Sequence, residues 1–63
     1  MTPTELMDWR ARKGLSQRGA AQALGVALTT YQEMERGRRF GSGKPVVISL
    51  MVELACRALE NNS

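Results

Sequence analysis

"SQRGAAQALGVALTTYQEMERG", residues 16–37, carries two helical patterns separated by a glycine. In the first, Ser16 is placed to cap "QRGAAQAL", while Ala20, Ala21 and Leu24 form an apolar stripe and Gly25 ends the run. The second opens near Ala27 and ends at Gly37. On it Tyr31, Met34 and Glu35 share one face, and Leu28, Thr29, Gln32, Glu33 and Arg36 share the other. The first face is the less polar and is expected to turn inward. Glu35 then sits in a partly buried place, where a carboxylate needs a partner. Gly19, inside the earlier helix, costs up to about 1 kcal/mol relative to Ala, and a close approach is the one reason the sequence offers for it.

Upstream, "TPTE" at residues 2–5 is a strong helix start. Thr2 can N-cap, Pro3 suits the first helical position, and Glu5 completes a capping box. This helix is expected to run through Leu6, Trp9 and Arg10 to about Lys13, where Gly14 offers a C-terminal cap. Asp8 and Arg12 have the spacing of an i,i+4 ion pair on its outer face. Downstream, "RGRRFGSGKP" reads as a mobile basic loop. "RRF" at 38–40 can pair with "VVI" at 46–48 across the Gly-Ser-Gly turn, although two isolated strands are marginal. A last helix is expected from about Ser49 to Glu60. Its polar residues Glu53, Arg57 and Glu60 form one narrow stripe and the rest is apolar, so it calls for burial on more than one side, the second supplied by another copy of the chain. "NNS" at 61–63 reads as a frayed tail. The patterns add up to a small all-α domain of four helices, five at most, over residues 1–63, with a short hairpin at 38–48 as an option.

Sixty-three residues bury only about 60% of the surface of their unfolded chain, so a staple or a partner subunit is expected. Cys56 is the single cysteine and there is no histidine, which rules out an internal disulfide and a Cys/His zinc site; no cofactor is expected. "MTPTELMDWR" has no apolar h-region, and no apolar run approaches the roughly 18 residues that span a bilayer. A cytoplasmic protein is the expectation. Net charge is +3, but residues 10–44 carry +6 and the flanks −3. A basic middle between acidic ends suits a polyanion such as nucleic acid.

Two short helices joined at Gly25 have the spacing of a helix-turn-helix, with small Ala21 at the helix crossing and Tyr31 and Met34 locking the second helix down. Over residues 6–39, "RARKGLSQRGAAQALGV…YQEMERGRR" resembles the Cro/C1-type helix-turn-helix family of phage and bacterial repressors, whose pattern has KGLSQ, an alanine at the crossing, LGV at the turn and an ERG ending. The tail "GKPVVISLMVELACRALE" resembles, more loosely, very small phage and proteobacterial regulators, including repressors of anti-CRISPR operons. The resemblance implies a lambda-repressor-like fold, double-stranded DNA as partner, and a homodimer.

Carried over residue by residue, it implies that Arg10 and Glu35 form a partly buried bridge between the first and third helices. Gln17 matches the family's phosphate-binding glutamine, next to Ser16 at a helix N-terminus whose free amides attract anions. Arg18, Arg36, Arg38, Arg39 and Lys44 can neutralise further phosphates. The sequence departs from the family at Ala27, where Ser or Thr is usual, at Leu28, often Arg or Gln, and at Gly19, commonly Glu. The loop is longer, and two closing helices are reduced to one.

Residues 25–35 contain no Lys, Arg or Asn, so base reading falls to other chemistry. Gln32 can bond adenine bidentately, Glu33 can accept from cytosine N4, and Ala27, Leu28 and the Thr29 methyl can pack on thymine methyls. Glu33 repels the phosphate backbone unless a cytosine or Arg36 pairs with it, which makes it either a specificity element or a solvated helix residue. Val47, Leu50, Met51 and Leu54 are the expected dimer contacts.

The function expected is a repressor or autoregulator that binds an inverted repeat as a homodimer and occludes a promoter, with no small-molecule ligand. The alternative is a protein-interaction module, such as the antitoxin of a toxin–antitoxin pair, whose last helix binds a protein partner. An enzyme is not expected: no histidine serves as a base and the carboxylates are scattered or paired.

Overall fold

The computed structural model describes residues 1–61 and contains four helices: α1 (Pro3–Lys13), α2 (Gln17–Leu24), α3 (Leu28–Arg36) and α4 (Leu50–Asn61). Asn62 and Ser63, within the expected frayed tail, lie outside the described residues. The helix starts follow from local chemistry. The Thr2 hydroxyl accepts from the Glu5 amide while the Glu5 carboxylate accepts from the Thr2 amide, closing a capping box with Pro3 in the first turn. The Ser16 hydroxyl accepts from the Gly19 amide to cap α2. A Cβ at Gly19 would lie 3.3 Å from that same Ser16 Oγ. The close approach expected at Gly19 is therefore to its own cap.

The helix ends of α1 and α2 repeat one device. Gly14 and Gly25 are left-handed, at φ 67° and 73°. Their amides donate to Ala11 and Gln22, while the following amides of Leu15 and Val26 reach back to Arg10 and Ala21. Each is a Schellman closure, which satisfies carbonyls the helix leaves open and turns the chain sharply. Gly25 thereby sets how α3 leaves α2.

Leu6, Trp9, Ala20, Ala21, Tyr31, Met34, Ile48 and Cys56 form the core. α2 packs on α3 through the small Ala20 and Ala21, and α1 presents Leu6 and Trp9. The Trp9 indole N–H is satisfied by the Cys56 carbonyl at 3.2 Å, which ties α1 to α4. Lys13 adds a bond from Nζ to the Leu59 carbonyl at 2.9 Å. Arg12 reaches across to Glu60 at 2.8 Å and leaves the expected Asp8 pairing unmade. Glu53 pairs with the N-terminal ammonium at 3.1 Å. The acids of the α4 polar stripe thus lie toward α1 and the N-terminus, where Arg12 and the terminal ammonium offer them charge partners.

The hairpin expected at 38–48 takes a reduced form, with no strand of its own. A lone bridge pairs Arg38 with Pro45, and the Arg39 and Val46 amides bond to the Lys44 and Gly37 carbonyls. "RRF" does not pair with "VVI", because the chain is drawn off to bury Ile48 in the core. No helix among the described residues is long and apolar enough to cross a membrane.

A Cβ at Gly25 would meet nothing within 4 Å, so its substitution isolates the backbone term. Gly25→Ala is expected to lower stability by about 1–2 kcal/mol, seen in chemical denaturation as an earlier midpoint at unchanged slope.

Candidate nucleic-acid interface

Glu35 is 8% exposed and lies where α1, α2 and α3 meet. Its Oε2 accepts from Arg10 Nε at 2.6 Å and from the Tyr31 hydroxyl at 2.6 Å, and its Oε1 from Arg10 Nη2 at 3.3 Å and Gln17 Nε2 at 3.0 Å. Arg10 also donates from Nη1 to the Leu15 carbonyl. Burial pushes the carboxyl up, but the hydrogen bonds from Arg10, Tyr31 and Gln17 outweigh it and hold Glu35 below its ordinary value. Burial and the neighbouring carboxylate push the Tyr31 hydroxyl far up, keeping it a donor. The bridge expected between Arg10 and Glu35 is present, and Tyr31 and Gln17 extend it into a network.

From this anchor the polar strip runs outward. The Gln17 carbonyl oxygen accepts from Gln32 Nε2 at 3.3 Å, so the N-terminus of α2 and the outer face of α3 are joined. An amide carries two N–H groups, which leaves Gln17 and Gln32 one donor each for a ligand. Met7, Gln17, Gln32, Glu35, Arg36 and Phe40 line one open groove. Ser16, Arg18, Ala27 and Thr29 are exposed, and Leu28 is half-buried. Ala27 has the extended backbone of an N-cap but no side chain to accept a bond.

Glu33 has a partner inside the chain that the sequence did not point to. Its Oε2 accepts from the Phe40 amide at 2.9 Å, while the expected Arg36 pairing is not made. Arg36 instead stacks on the Phe40 ring, with its guanidinium carbon 5.1 Å from the centroid. In the turn, Arg38 bonds the Gly43 carbonyl at 3.2 Å, and Arg38, Arg39 and Lys44 are exposed. Val47, Leu50, Met51 and Leu54 are also exposed, on the far element α4 and its approach.

Three residues of this region were not foreseen. Phe40 was read as a strand residue, and its groove position depends on the chain doubling back after Gly37. Met7 stands one position from buried Leu6, and its 39% exposure was legible only as a place on the outer side of α1. Thr30 is exposed on the first turn of α3 beside Thr29; its polar side chain off the inward stripe was the available signal.

Cys56 is buried, and desolvation together with Glu60 and Glu53 pushes its thiol up, a poor setting for a nucleophile. The model of the family described as a helix-turn-helix domain matches residues 4–60. No curated protein and no solved structure matches the chain.

Arg10→Ala strands a buried carboxylate and is expected to cost about 3 kcal/mol, measured by denaturation. Because the Glu35 carboxyl is held low in the folded state, its contribution is present above the ordinary carboxylate range and lost as pH falls through its lowered value. Thermal melts across acid pH are expected to show this loss, and Glu35→Gln to remove that part of the dependence. Ala27→Ser supplies the missing cap of α3 and is expected to add about 1 kcal/mol.

Proposed function

The chain belongs to the helix-turn-helix domain family, which points to a DNA-binding regulator, and we propose that it is a Cro/C1-type repressor or autoregulator acting as a homodimer on an inverted repeat. The observation that carries the reading is the continuity of one polar strip. Gln17 opens α2, Gln32 lies on α3, and the two are bonded to each other and anchored on Glu35. α3 enters the major groove with Ala27, Leu28, Thr29 and Gln32 toward the bases, Gln32 on adenine and the apolar groups on thymine methyls. Ser16, Gln17 and Arg18 at the start of α2, and Arg36, Arg38, Arg39 and Lys44 after α3, hold phosphates. Affinity comes from the backbone contacts and discrimination from a small set of neutral ones.

The dimer is supported by α4 and the segment leading into it. Val47 is 88% exposed, Leu50 64%, Met51 76% and Leu54 47%, an apolar surface a small chain does not leave open to water without use. A second copy covers it and sets two α3 helices into successive major grooves about 34 Å apart. Occupation of the promoter then represses transcription. The same surface also suits a partner protein, as in an antitoxin, and solution mass separates the two readings: a homodimer supports the repressor, a monomer the adaptor.

The test is selection of bound duplexes from a random pool at about 150 mM salt. An enriched two-fold inverted repeat is expected; salt-sensitive binding with no enriched sequence overturns the reading. Leu54→Glu is expected to leave the fold intact and to yield a monomer in light scattering, with binding to the enriched repeat weakened at least tenfold.

A further inference from the structure

We infer that Glu33 is a positioning residue: through the Phe40 amide it holds the basic turn 37–45 against α3, so that Arg38, Arg39 and Lys44 meet the DNA backbone as one unit. The inference rests on the DNA-binding reading and assigns Glu33 a task other than touching bases. Hydrogen bonds close the turn on itself. The Arg39 amide donates to Lys44, the Gly43 amide to Arg39, the Val46 amide to Gly37, and the Arg38 guanidinium to Gly43. That closure makes it stiff and leaves its attitude toward α3 undetermined. At its base the Gly37 amide bonds the Glu33 carbonyl of α3, and two side-chain links hold the tip, both ending on Phe40: the carboxylate of Glu33 at 2.9 Å from its amide, and the guanidinium of Arg36 over its ring.

Charge points the same way. The turn carries three cations and no acid, so a carboxylate on the adjoining helix offsets their mutual repulsion. A carboxylate facing bare phosphates would instead oppose binding. The bond to Phe40 fixes Oε2 of Glu33 on the turn side of the helix and gives the carboxylate a partner inside the chain. Removing it leaves the Phe40 amide without its acceptor and the Arg36 stack as the remaining side-chain link to the tip of the turn.

Each phosphate contact contributes roughly 0.9 to the slope of log affinity against log salt, so the number of backbone contacts can be read directly. The duplex selected by the unaltered protein tests the DNA reading, and variants on that duplex test the positioning. Glu33→Gln keeps an oxygen acceptor and is expected to leave both slope and enriched bases unchanged. Glu33→Ala is expected to lower the slope by about 2 with the enriched bases unchanged. Phe40→Ala, at an exposed site outside the core, keeps the amide that Glu33 holds and removes the Arg36 stack, and is expected to lower the slope by less. In R38Q/R39Q/K44Q the slope is already low, and adding Glu33→Ala is expected to change nothing further.

The inference is overturned if Glu33→Gln alters any enriched base, which makes Glu33 a reader. It is equally overturned if Glu33→Ala and Phe40→Ala both keep the full slope, or if Glu33→Ala still weakens the triple variant. A protein that binds no duplex at all overturns the DNA reading along with it.

Discussion

A buried carboxylate that collects four hydrogen bonds organises this molecule. Glu35 draws a guanidinium from α1, an amide from α2 and a hydroxyl from its own helix onto two oxygens. Each donor is fixed by a different element, so satisfying all of them at once admits only one mutual arrangement of the three helices. Such a network adds less net stability than its bond count suggests, because both charges are desolvated. Its larger effect is to make alternative packings costly, since any of them strands a charge.

The network also reaches the surface. Gln17 bonds Glu35 on one side and Gln32 on the other, so the outermost polar groups of α2 and α3 take their orientation from a buried group. Charge is unevenly placed along this surface. α3 from Leu28 to Gln32 carries no charge, while the cations gather at Arg18 and after Arg36.

Size imposes a second constraint. Without a disulfide, α4 is held by Trp9, Ile48 and ion pairs along α1. Glu53 and Glu60 are paired with cations of the chain, Cys56 is buried with Val52 and Leu59 packed beside it, and Leu50, Met51 and Leu54 stay exposed.

The helix bounds were legible in the residues because they depend on neighbours a few positions apart. Thr2, Pro3 and Glu5 start α1, Ser16 starts α2, and Gly14, Gly25 and Gly37 end helices in the left-handed conformation. The inward face of α3, and with it the buried place of Glu35, followed from the period of the helix. The Arg10 partner of Glu35 came from family resemblance, and periodicity alone would not have found it. Other pairings were decided only in three dimensions. Arg12 chose Glu60, 48 residues away, over Asp8 on its own helix; Glu33 took the Phe40 amide; and the polar stripe of α4 turned toward α1. These choices depend on which elements the core brings within hydrogen-bond distance, and helical period and capping chemistry act over too short a stretch of chain to specify that.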